Sequence, residues 1–406
     1  MKISSTSHLT YCTNIHPGEH WAEVWESLRN YTLPLKERLS PDAPFGVGLR
    51  LSNIASKEIV QSDELAAFRD WLRQHGLYVF TFNGFPYGGF HREKVKDNVH
   101  QPDWSTEDRR DYTIRLFDIL AYLIPEGLEG GISTSPVSYR YWFTDAPEEL
   151  EMVWQKGCEH LAQVAAHLHQ IKKNKGIFLH LDIEPEPDGL MENTEEVIAF
   201  YEQRLLPIGG KHLQDILGIS QAEAAAILMD HIQMCYDVCH FAVVFESPAY
   251  TFQKWAEAGI KVGKVQISAA LKAHFPSQLE ERQPIVEVFE KLNESTYLHQ
   301  VVARQKDGTL RHFNDLPDAL PEILDPQTTE WRTHFHVPIF IDYYDHLLAT
   351  RDAIEDVLAH HQDVCAHWEV ETYTWEVLPK AIQFGLVDSI ERELQWVLDE
   401  LELNGD

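Results

Sequence analysis

The sequence predicts an α/β protein, a (β/α)8 TIM barrel built from the whole 406-residue chain. Three observations carry this reading. Short β-rich runs are followed repeatedly by amphipathic helical patterns, and eight such strands fit the length once one long excursion is set aside. No G-x-G-x-x-G or G-x-x-x-x-G-K-[ST] follows a strand, as two doubly wound halves would lead one to expect. Repeats, Gly/Ser linkers and low-complexity tracts that would mark a domain boundary are absent from the sequence.

Leu9–Ile15 (LTYCTNI) reads as the first strand, ahead of an amphipathic stretch from Trp21 to Leu39. Phe45–Ser52 (FGVGLRLS) is the second; the helix after it, Ser62–His75, is stopped by Gly76, a residue suited to the left-handed conformation just past a helix end. Leu77–Asn83 (LYVFTFN) is the third, and a long polar loop leads from it to a helix opened by Ser105, with Asp108 at the capping-box position. Gly131–Val137 (GISTSPV) is the fourth. The helix after Pro147 ends near Lys173, where Lys172, Lys173 and Lys175 suit the negative end of the helix dipole. Gly176–Glu184 (GIFLHLDIE) is the fifth strand, followed by helical patterns at Glu195–Arg204 and Gln221–Met229. Cys235–Val244 (CYDVCHFAVV) and Lys264–Ala269 (KVQISA) are the sixth and seventh, and His367–Trp375 (HWEVETYTW) is the eighth, before a C-terminal helix.

Between the last two strands, residues from about Leu271 to Thr333 read as an insertion with its own hairpin, TYLHQVVA-RQKDG-TLRHF, turning at Asp307-Gly308. Insertions after a barrel strand lie on the active-site side, so this one is expected to cap the mouth and shape access to it.

With 34 Lys+Arg against 64 Asp+Glu the formal charge is −30, which repels a polyanion; nucleic-acid binding would need a basic patch that the sequence does not offer. The cysteines Cys12, Cys158, Cys235, Cys239 and Cys365 are an odd, scattered set without a C-x-x-C pair, as expected of free thiols in a reducing, cytoplasmic setting. The N-terminal residues lack an apolar signal core, and no apolar run approaches the ~18 residues of a membrane span.

Barrel active sites lie at the C-terminal strand ends, so polar groups that end apolar runs are the candidates. In GIFLHLDIEPEP, His180, Asp182 and Glu184 alternate onto one side of the strand, and Pro185 stops the ladder after Glu184. These are either barrel-interior groups paired with neighbours or groups in use, since three ionisable side chains in one strand are costly otherwise. Asp237 and His240 interrupt the sixth run as D-x-x-H, again readable as a hydrogen-bonded core pair. Gln266 is the polar group of the seventh. Glu369 and Glu371 share a face of the eighth, and Glu371 lies nearer its C-terminal end. Three carboxylates, an imidazole and an amide from four successive strands form an oxygen-rich site for one hard or borderline divalent cation. A small-molecule substrate follows from such a site. Aromatic residues such as Trp104 or Phe85 are candidates to stack on it, although packing is the commoner role for any single aromatic.

Glu184 in IEPEP, Asp237 and His240 in YDVCH, the strand KVQIS, the HVP of His336–Pro338, and Glu371 together resemble the xylose-isomerase-like barrel superfamily of sugar isomerases and epimerases. More specifically, HLTYCTNIHPGEHW, FNGFPYGGFH, VKDNVHQPDW, HLDIEPEPDG and HWEVETYTW resemble the EboE family, barrel proteins of the ebo gene cluster described as metabolite traffic proteins. The resemblance implies a metal (Mn, Mg, Zn or Co) held by Glu184, Asp237, Gln266 and Glu371. It implies Glu184 and Glu371 as the proton-transfer pair and His240 and His336 as substrate-binding residues. It further implies that other ebo-cluster proteins are partners, and that the reaction is metal-assisted isomerisation or epimerisation of a hydroxy-carbonyl metabolite, or else handling of a precursor for export without catalysis. At Gln266 the chain departs from those epimerases, which place a histidine there; an amide oxygen binds a cation more weakly than imidazole and favours harder metals. An endonuclease IV type of phosphodiesterase would want a multi-metal site and a basic groove, which the net charge opposes.

Overall fold

The computed structural model describes residues 1–61, 63–89, 96–293, 298–373 and 385–403. Seven strands come first: β1 (His8–Tyr11), β2 (Phe45–Arg50), β3 (Leu77–Asn83), β4 (Gly130–Thr134), β5 (Leu179–Ile183), β6 (Ile232–Asp237) and β7 (Val262–Ile267). An excursion follows, with β8 (Ala269–His274), β9 (Val301–Gln305), β10 (Leu310–Phe313), β11 (Thr328–Val337), β12 (Tyr343–Tyr344) and β13 (Leu347–Ala349). The chain then returns to the barrel as β14 (His367–Val370).

The strands β1 to β7 and β14 form one parallel sheet in the order β1-β14-β7-β6-β5-β4-β3-β2. The sheet closes on itself through a parallel bridge from Cys12 to Gly48, and Thr10 Oγ1 donates to the Gly46 carbonyl at 2.8 Å across the same seam. This is the (β/α)8 barrel that the alternation predicts. A strand here turns into a helix because local signals demand it. Ser52, Asn193, Ser220 and Ser247 each accept a backbone N–H at a helix start, and Gly176, at φ +71°, ends the 29-residue helix Pro147–Lys175 whose last turn carries the three lysines. At the helix Glu107–Leu123 the capping residue is Thr106, one place beyond Ser105; the Ser105 hydroxyl is engaged instead with Asp103 Oδ1.

Two boundaries differ from the sequence reading in ways that matter. The sixth strand stops at Asp237, and Val238–Val243 is a helix, so His240 lies on a helical first turn and not on a strand. The reason is local: Asp237 Oδ1 accepts the His240 N–H at 3.1 Å, and D-x-x-H is therefore a helix cap. The excursion is also longer than Leu271–Thr333. Its strands form a six-stranded antiparallel sheet in the order β10-β9-β11-β8-β13-β12, and Thr333 sits in the middle of β11, paired with both Val301 and Leu271. The hairpin around Asp307-Gly308 forms as read, pairing β9 with β10, with Gly308 at φ +87°. Its first two residues, Thr296 and Tyr297, the helix start at Ser62, and the strand end at Thr374 and Trp375 lie outside the described residues.

The barrel interior is polar. Lys264 on β7 pairs with Glu369 on β14, both wholly buried, and its ammonium also reaches the Phe82 carbonyl and Ser133 Oγ across the barrel. His180 Nδ1 meets Asp182 Oδ1 at 2.6 Å, and its ring stacks on that of His367 at 5.1 Å. Room for these groups comes from glycine. A Cβ on Gly48 would stand 1.9 Å from Glu369 Oε1, and one on Gly263 would stand 2.0 Å from Asp182 Oδ1. Among the described residues, no helix is long and apolar enough to cross a membrane.

Candidate active site

At the C-terminal rim three strands deliver three carboxylates. Glu184 follows β5, its N–H bonded to the Thr134 carbonyl at 2.9 Å before Pro185 ends the ladder; Asp237 closes β6; Glu371 follows β14, its N–H on Ile267 at 3.0 Å. All three side chains are buried, and one oxygen from each lies within 4.8 Å of the others.

Their hydrogen bonding is unequal. Glu371 is heavily held: Asn14 and Asn83 donate to its Oε1 at 2.7 and 2.9 Å, and Gln266 donates to its Oε2 at 2.5 Å. Asp237 accepts from Ser268 at 2.6 Å and from the His240 backbone on Oδ1, while its Oδ2 has no hydrogen-bond partner among the described residues. Glu184 Oε2 is likewise buried without one. Gln266 thus stands beside the carboxylate group, with its NH2 turned to Glu371 and its Oε1 accepting the Cys235 thiol at 2.8 Å.

Burial, and then the neighbouring carboxylates, push both Glu184 and Glu371 well above the usual carboxylate range. Burial followed by the charges of Asp188 and Asp237 lifts Glu186 to about 8. Acids packed this way resist losing their protons unless a positive charge joins them. Two orphaned buried oxygens and a third carboxylate already oriented by amides therefore fit a hard or borderline divalent cation, with Glu184, Asp237 and Glu371 as the protein donors.

Two imidazoles border the same space. His240 Nδ1 is 2.8 Å from the Pro185 carbonyl, which fixes the proton on Nδ1 and leaves Nε2 as an acceptor. His336, on β11, places Nδ1 3.1 Å from the Glu371 carbonyl and stacks on Tyr373 at 4.4 Å. Burial lowers His240 and holds His336 at about 4, so both rings are neutral near pH 7. A small cleft of about 50 Å³ opens over these groups, with Glu184, Glu371, His240 and His336 in its wall beside Phe85 and Asn83. This is room for a cation and a few waters.

The sequence-derived residues Glu184, Asp237, Gln266, Glu371, His240 and His336 come together within this one region. The other polar groups of the same strands, His180, Asp182 and Glu369, lie in the interior pairs described above, and Trp104 is core, its indole N–H on Thr134 Oγ1 at 3.1 Å. The sequence reading missed Asn14 and Asn83, which orient Glu371, and Glu186, which lines the cleft. Asn83 ends β3 much as Glu184 directly follows β5, so the rule of polar groups at strand ends applied to it; Asn14 lies beyond β1 in the turn Thr13–Ile15, where no strand pattern points.

The chain matches no known family model and no curated protein sequence. Solved structures similar to it include 3-keto-D-glucoside 4-epimerase YcjR from E. coli, at 11% identity and TM-score 0.41, with 96% of this chain and 97% of that one covered. The IolI protein, crystallised with a zinc atom, is similar at 10% identity and TM-score 0.44, over 98% and 99% of the two chains. The probable 3-DHS dehydratase AsbF from Bacillus anthracis is similar at 10% identity and TM-score 0.40, over 96% and 97%. Likenesses this distant assign neither substrate nor reaction.

Proposed function

We propose that the chain is a metal-dependent isomerase or epimerase of the xylose-isomerase-like superfamily, acting on a small polyhydroxy or hydroxy-carbonyl metabolite. The observation that carries this reading is the group Glu184, Asp237 and Glu371, buried together with two open oxygens beneath the cleft. A divalent cation held by the three carboxylates, with Gln266 beside them, would draw electron density from a carbonyl and hydroxyl of the substrate and so acidify the intervening C–H. Glu184 would take that proton on one face, and Glu371 would return a proton on the other. Asn14, Asn83 and Gln266 fix the Glu371 carboxylate for this task. His240 accepts from a substrate hydroxyl through Nε2, because its Nδ1 is committed to Pro185. The antiparallel sheet, which contributes His336 to the cleft wall, serves in this reading as the cap that limits access.

The test is proton exchange with solvent. Metal-loaded protein in D2O should wash deuterium into the carbon next to the carbonyl of a suitable ketose or keto-sugar, and Glu184→Gln should abolish the exchange. Absence of exchange across a panel of such compounds, with metal bound, would remove catalysis from the reading.

One observation favours a second reading, in which the barrel receives and hands on a metabolite without transforming it, as the EboE resemblance implies. Gln266 spends its amide on Glu371 and its oxygen on Cys235, so the position where epimerases carry a histidine supplies no imidazole to a cation. Tight binding of a metabolite without deuterium exchange is the outcome that selects it.

A further inference from the structure

Beside the carboxylate group, two histidines of β11 face each other in an arrangement their other hydrogen bonds make chemically specific. Gln300 donates its NH2 to the Pro187 carbonyl at 3.1 Å, which turns its Oε1 toward His334 Nδ1 at 2.7 Å. An amide oxygen only accepts, so His334 carries its proton on Nδ1. His336 Nδ1 faces the Glu371 carbonyl, and its proton is fixed on Nδ1 by the same reasoning. The two Nε2 atoms therefore meet as acceptors, 3.2 Å apart.

Two lone pairs at that distance repel unless a positive centre lies between them. An added proton is costly there, because both rings are buried and the His240 ring sits 4.7 Å from His334 and 5.5 Å from His336. A cation fits better. Two imidazole nitrogens, each about 2.0–2.1 Å from a tetrahedral zinc-like ion, stand about 3.3 Å from each other. The third donor is at hand: Cys239, on the first turn of the helix that Asp237 caps, places Sγ within 4.8 Å of both rings' ligand atoms and is wholly buried.

We propose that Cys239, His334 and His336 form a second cation site, of sulfur and nitrogen donors, for a zinc-class ion next to the carboxylate centre. None of the three belongs to the carboxylate group, so this site stands independently of the isomerase reading. It changes one assignment, taking His336 from contact with substrate to the holding of a cation. Gln300 and the Glu371 carbonyl are the outer partners that keep the two rings oriented. On binding, the Cys239 S–H bond, now directed at the Phe335 carbonyl at 3.4 Å, breaks; its proton leaves to solvent and the sulfur lone pair joins the ion. The imidazoles lose no proton, because each carries its proton on Nδ1. Uptake at this site releases one proton per ion.

Cobalt(II) titrated into chelator-treated protein reads the site directly. The wild type should develop a thiolate-to-cobalt charge-transfer band in the near ultraviolet, and weakly buffered solution should register one proton released for the ion that produces it. Cys239→Ser and His334→Ala should lose the band, whereas Glu371→Gln should keep it, so that failure of the carboxylate centre and failure of this site are told apart. Cobalt bound by the wild type without the band, or a band that persists in Cys239→Ser, would overturn the proposal. Should a variant not fold, zinc-edge absorption of the wild type decides: a sulfur neighbour at about 2.3 Å supports the site, and a shell of only lighter atoms refutes it.

Discussion

The barrel holds two populations of buried acids, and they are treated differently. Inside the barrel, Glu369 is matched by Lys264 and Asp182 by His180, each in direct contact. At the rim, the base paired with Glu184 among the described residues is His240 at 3.7 Å, a ring that burial keeps neutral, and Glu184, Asp237 and Glu371 crowd one another. The inner charges are compensated within the fold. Among the described residues, no lysine or arginine pairs with the rim acids.

The largest effect should come from breaking an inner pair. Lys264→Met leaves Glu369 uncompensated in the interior and is expected to cost about 3–5 kcal/mol in urea unfolding. A loss below about 1 kcal/mol would mean that the inner acids are no better matched than those at the rim. Next is the space the inner pair occupies. Gly48→Ala puts a methyl group against Glu369 and should cost about 1–3 kcal/mol by the same measurement, whereas no change would show that the interior repacks freely.

At the rim the expectation reverses. Glu184→Gln should lower cation affinity at least tenfold, about 1.4 kcal/mol, in isothermal titration, while leaving the melting temperature of the metal-free protein unchanged or higher because a crowded acid has been removed. A marked fall in melting temperature would place Glu184 with the structural acids instead. The most gradual effect is one of pH. Glu186 titrates near 8 in the fold and near about 4.3 when unfolded, so the native chain keeps a proton the unfolded chain has lost, and stability drops as pH rises through this window. His336, held near 4 against about 6.5 unfolded, acts in the opposite sense, but only below about 6.5. Between pH 6.5 and 8 the metal-free protein should therefore lose stability by up to about 1.4 kcal/mol per pH unit for each such carboxyl, and a bound cation should flatten the slope. A metal-free stability that rises with pH over this range would contradict the assignment.

The barrel itself was legible because its alternation is periodic and its helix signals are local: Gly76, Gly176 and the three lysines act within one turn of chain. The rim acids were legible for a related reason, since each ends an apolar strand. What the sequence concealed depends on distance. Asn14 bonds to a residue 357 positions away, and nothing near it in the chain announces the contact. The D-x-x-H of Asp237 and His240 misled because the apolar run through Val244 continues past the point where the backbone turns; hydrophobicity persisted while a cap ended the strand. His334 and His336 were visible as residues, but their facing nitrogens depend on Gln300 from β9's approach and on the Glu371 carbonyl.

Asp237 divides its two oxygens between two tasks. Oδ1 secures the start of the helix Val238–Val243 and accepts from the Ser268 hydroxyl, while Oδ2 is buried without a hydrogen-bond partner among the described residues. That helix carries Cys239 and His240 in its first turn. The two oxygens share one rigid plane, so a carboxylate turned to bring Oδ2 onto a cation would carry Oδ1 with it, and the cap of this helix and a donor of the rim are one group.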